Sequence, residues 1–154
     1  MTAWTQRGKL YLWRYIDSPG GYRGGHLTAD QAGCESLDAL LTQFIETPRS
    51  RRARVRVTRP TAAILGVPNA QGGRARWAAP KELQIELFEE TPPEMWQFTT
   101  KGERYELLAG RDRLQELRDA VRGILKGQGD FALGPEEGSD SEWDAMCLNI
   151  WWMP

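Results

Sequence analysis

The chain reads as an α+β domain: a mainly antiparallel sheet of about six or seven strands with two helices, in the order β-α-β-β-β-β-α-β-β. Three observations predict this. Short segments of alternating apolar and polar residues recur along the chain, and alternation is the mark of a half-buried strand. Two longer segments repeat their apolar residues at spacings of three and four, the mark of an amphipathic helix. Strand-like segments also follow one another between those helices, which favours antiparallel meanders over a doubly wound parallel sheet.

"KLYLWRYI" is the first strand. Leu10, Leu12 and Ile16 fall on one face, and Tyr11, Trp13 and Tyr15 on the other. Bulky residues on both faces suit a central strand, or one with an aromatic outer face. "DSPGGYRGG" interrupts the pattern with one proline and four glycines. A helix follows, its stripe formed by Leu37, Leu40, Leu41, Phe44 and Ile45, with Thr28 or Ser36 as its expected cap and Thr47-Pro48 as its end.

"RARVRVT" directs Val55 and Val57 inward and Arg52, Arg54 and Arg56 outward, and "LQIELF" directs Leu83, Ile85 and Leu87 inward. "MWQFTT" and "RYELLA" form a hairpin around Lys101-Gly102. The second helix runs from about Asp112 to Lys126, with Leu114, Leu117, Val121 and Leu125 on one face and Gly127 as its C-terminal cap. "DFAL" and "MCLNIWW" close the chain as two strands. Alternation there assigns Trp152 to the core face with Leu148 and Ile150, and leaves Trp151 on the other. The irregular stretch is residues 60–80, a loop long enough to suggest function.

The 154 residues fit one domain, 1–154, with enough apolar content for a core of its own. Two cysteines make no disulfide framework, and the start shows no basic-then-apolar leader. With no apolar run of about 18 residues either, the expectation is a cytoplasmic protein that makes no use of a membrane. Sixteen arginines against four lysines match the coding bias of a GC-rich bacterial genome. The net charge of −1 conceals a split: residues 1–80 hold 12 basic and 5 acidic side chains, and residues 81–154 hold 8 and 16. Oppositely charged strands lying side by side account for this split.

Familiar catalytic patterns are missing. "PGGYRGGH" has neither G-x-G-x-x-G spacing nor a following G-K-[ST], so it reads as a flexible turn. His26 is the single histidine and reads as an exposed loop residue. No C-x-x-C or paired-histidine spacing offers a zinc site. Asp140, Glu142 and Asp144 begin like a calcium loop, but Ala145 and Trp151 stand where that loop needs Gly and Glu. No cofactor is therefore expected. The Arg-rich strand lacks interleaved stacking aromatics, which argues against nucleic acid.

Two functional readings remain. The first is a non-catalytic, protein-binding accessory domain, toxin-neutralising in its sharpest form. It rests on seven tryptophans and an acidic segment, with Trp151, Trp143, Glu136, Glu137 and Asp140 as the contact set. The alternative is a small anionic-ligand-binding protein or enzyme using loops 18–26 and 60–80, with Arg23, His26, Arg74, Arg76 and Trp77 converging on the ligand. Exposed sheet edges are compatible with a homodimer.

Overall fold

The computed structural model describes residues 4–16, 24–47, 49–68, 76–128, 131–135 and 146–154. Its described elements run in the order β1 (Leu10–Tyr15), β2 (Gly25–Ala29), α1 (Gln31–Glu46), β3 (Arg51–Arg56), α2 (Ala62–Leu65), β4 (Trp77–Ala78), β5 (Glu82–Leu87), β6 (Trp96–Lys101), β7 (Arg104–Ala109), α3 (Arg111–Ile124), β8 (Phe131–Leu133) and β9 (Leu148–Ile150). The α+β class holds.

The strands form two sheets where one was expected, in the orders β4-β1-β2-β9-β8 and β3-β5-β7-β6. Most pairs are antiparallel; β2 with β9 and β5 with β7 are parallel. Alternation predicts which face of a strand is buried but carries no information on which sheet it joins, so the division was invisible in sequence. Among the described residues, backbone bonds link the sheets at two places. Thr58 donates to Leu10 at 2.7 Å, and Met146 donates to Phe98 at 2.8 Å.

Both sheets contribute one face to a core shared with α1 and α3. Leu10, Leu12, Leu27 and Ile150 of the first sheet share a core with Val55, Leu83, Ile85, Phe98 and Leu107 of the second, and with Leu37, Leu41, Phe44, Leu114, Leu117 and Val121 of the helices. Each fully buried aliphatic side chain of this kind contributes about 1.5–3 kcal/mol through removal from water. Phe98 anchors the second sheet, with its ring edge-on to Trp96 and Tyr105.

Asp30 caps α1, in place of the expected Thr28 or Ser36, by accepting from Gly33 N–H at 2.7 Å. Thr28 is a buried β2 residue, and Ser36 lies inside the helix. At the other end, Arg111 at the start of α3 donates to the carbonyls of Ile45 and Thr47, satisfying acceptors that the end of α1 leaves open. Of the stretch 60–80 expected as an irregular loop, the described residues carry a one-turn helix, α2, and a short strand, β4, while 69–75 lie outside the described residues.

The outer face of the second sheet is a ladder of opposite charges, as the charge split implies. Between β3 and β5, Arg52 meets Glu86 at 3.0 Å and Arg54 meets Glu82 at 4.0 Å, and Arg54 also donates to buried Gln84 at 3.1 Å.

Candidate functional site

The outer face of the first sheet collects the aromatic residues. Antiparallel pairing sets Trp13 opposite His26 and Tyr15 opposite Trp77. Parallel pairing sets His26 beside Asn149, and Trp151 N–H extends that contact by donating to Leu27 O at 3.0 Å. Since side chains alternate along each strand, Tyr11, Trp13, Tyr15, His26, Trp77 and Trp151 emerge on the same side.

His26 lies at the centre. It is completely buried on β2, which corrects its reading as an exposed loop residue. The Gly-rich break ends sooner than the sequence suggested, because Gly25 already pairs with Arg14. The imidazole is near-parallel to Trp13 and to Trp151, with centroids 5.6 Å and 6.0 Å away, and Tyr15 packs edge-on at 5.0 Å. Trp151 Nε1–H donates to His26 Nδ1 at 2.9 Å. An indole nitrogen can only donate, so Nδ1 must offer its lone pair, and the neutral ring carries its proton on Nε2.

A short helix covers part of this face. Ile64 and Leu65 of α2 pack with Tyr11, Trp13 and Tyr15, and Tyr15 Oη donates to Leu65 O at 3.1 Å. Thr61 caps α2 through Ile64 N–H. Trp13 Nε1 and Thr28 Oγ1 remain buried with no hydrogen-bond partner among the described residues.

The tail departs from the expected alternation. The strand ends at Ile150, so the two-residue period stops there, and Trp152 is 38% exposed although alternation assigned it to the core. Trp151 is half-buried against His26. Trp152 stands edge-on to Trp151, centroids 5.9 Å apart. Trp152 thus leaves the core face that alternation gave it, while Trp151 stays on the opposite face, packed on His26.

Of the two predicted residue sets, Trp151, His26 and Trp77 share one sheet face, with Tyr15 touching His26 and pairing with Trp77. Arg76 is exposed and its carbonyl accepts from Ile16 N–H. Trp143, Glu136, Glu137, Asp140, Arg23 and Arg74 lie outside the described residues. Trp13, Tyr15 and Arg59 had not been counted as site residues. The period-2 pattern of the first strand is the available signal for Trp13 and Tyr15, and the Arg-rich run over residues 49–59 is the local mark of Arg59. Its guanidinium lies 5.2 Å from the Trp77 ring centroid, beside a cleft of about 320 Å³ that also involves Lys81 and Glu103.

The cysteines are poor nucleophiles. Burial, with Asp30 and Glu35 nearby, pushes the Cys34 thiol up to about 12. Burial also raises Cys147, partly offset by hydrogen bonds from its own backbone and from Asn149. A reactive cysteine needs the opposite shift. No family model matches the chain, and neither a curated protein nor a solved structure matches it.

Proposed function

We propose that this chain is a protein-binding accessory domain without catalysis of its own, and that its contact surface centres on Trp152. One observation carries the reading: an exposed indole, Trp152, is held edge-on to a second indole that is itself tied to a buried histidine. Tryptophan is the residue type most enriched at binding hot spots, and a ring already held in place loses little freedom on association. Tagged protein recovered from its own host should carry a stoichiometric second protein in native mass spectra. Trp152→Ala should lose that protein, while Phe88→Ala, which alters an exposed aromatic elsewhere, should keep it. Retention by Trp152→Ala would end this reading.

The cleft beside Arg59 and Trp77 supports a second reading, a small aromatic carboxylate held by the Arg59 guanidinium and the Trp77 indole, Lys81 being paired with Glu103 at 3.2 Å. Benzoate should then quench tryptophan emission saturably in the parent protein and not in Trp77→Phe. Equal quenching in both would remove this option.

A further inference from the structure

β3 lies at the edge of the second sheet, paired only with β5 among the described strands. Backbone groups point alternately to the two sides of a strand, so one side of β3 faces β5 and the other faces outward. Gln6 identifies the outward set. Its side chain accepts from Arg56 N–H at 2.7 Å and donates to Arg56 O at 2.8 Å, doing for one residue what a neighbouring strand would do. By the same alternation, Arg54 and Arg52 direct their N–H and C=O groups outward, and no backbone partner meets them there among the described residues.

We propose that this edge is a docking strand for an extended acidic segment of a partner protein, added by β-augmentation. Gln6 already satisfies the end of the edge with an amide, which leaves the Arg52–Arg54 stretch as the open part. An incoming strand with carboxylates at every second position would align them with Arg52, Arg54 and Arg56, which share the outer face. The first two side chains are 60% and 55% exposed while paired on one side to β5 carboxylates, so their guanidinium groups keep donors facing solvent. Arg56 is exposed as well. The same charges repel a second copy of β3, so the edge selects acidic strands and resists pairing with itself. This surface lies on the other sheet from Trp152 and stands or falls separately.

The test uses the whole chain and a labelled synthetic peptide, acetyl-Thr-Glu-Val-Glu-Val-Glu-Thr-amide, with a Lys-for-Glu peptide as control, read by fluorescence anisotropy. Saturable binding of the acidic peptide alone is expected. Arg54→Pro removes one outward backbone donor together with the Arg54 guanidinium while leaving the backbone bonds between β3 and β5, and should weaken binding by about tenfold or more. The double variant Arg52→Glu with Arg54→Glu keeps the backbone donors and should weaken binding comparably. It decides the matter if the circular dichroism spectrum shows Arg54→Pro unfolded. Absence of saturable binding, equal binding of the lysine peptide, or parent-like affinity in the folded variants would each overturn the proposal.

Discussion

Trp151 Nε1–H and His26 Nδ1 lie 2.9 Å apart, joining residues 125 positions distant in the chain. The bond fastens the last residues to the middle strand of the first sheet. Replacing His26 with Phe keeps an aromatic ring but leaves the indole donor without its acceptor, and should cost about 1–3 kcal/mol in urea unfolding. Trp151→Phe should cost a similar amount. The double variant should cost less than the two singles combined, because a missing donor cannot lose a missing acceptor. Strict additivity would show that the bond contributes nothing.

Trp152→Ala should be close to silent for stability, within about 1 kcal/mol, since the ring is 38% exposed and stands edge-on to Trp151 outside the buried core. Its unfolding midpoint should therefore stay near that of the parent while complex formation is lost. A large drop in midpoint would place Trp152 in the core after all.

Asp30→Ala should destabilise the fold by about 1–2 kcal/mol. The carboxylate accepts from Gly33 N–H at 2.7 Å and from Lys9 N–H at 2.9 Å, so one side chain caps α1 and ties down the approach to β1. Asp30→Asn should recover most of the loss, because its amide oxygen can still accept. Urea denaturation of both variants checks the order.

Stability should fall as the pH rises above about 9. The Cys34 thiol, ordinarily near 9.0, is pushed up to about 12 in the fold, chiefly by burial. The unfolded chain therefore releases this proton first, and the linkage favours unfolding between those two values. The contribution is complete below pH 9 and is lost as the pH climbs through the folded value. Tyr105 shifts the same way through burial, partly opposed by Arg14. Cys34→Ala should flatten the slope between pH 9 and 11 in denaturation midpoints, and an unchanged slope would assign it to other groups.

Much of the fold was legible because it rests on local rules. The helical stripe from Leu37 to Phe44, the alternation of "RARVRVT" and "LQIELF", and the turn at Gly102, with φ +62°, are written in neighbouring residues. The site was legible only in part. Tyr11, Trp13 and Tyr15 were correctly placed on one face, but nothing local showed that α2 would cover that face or that His26 would meet it. Trp152 was misplaced because alternation was carried past Ile150, where the strand ends.

By itself, then, the sequence determined the α+β class, the inward faces of β3 and β5 and the mutual neutralisation of the Arg-rich and Glu-rich strands. All three follow from side-chain periodicity and charge, which act between near neighbours. Tertiary structure alone decided that there are two sheets, that the lone histidine is buried among tryptophans, and which indole of the final pair faces water. Those outcomes depend on pairings between segments far apart in sequence, such as β2 with β9, and a backbone hydrogen bond has the same chemistry whichever strand supplies it.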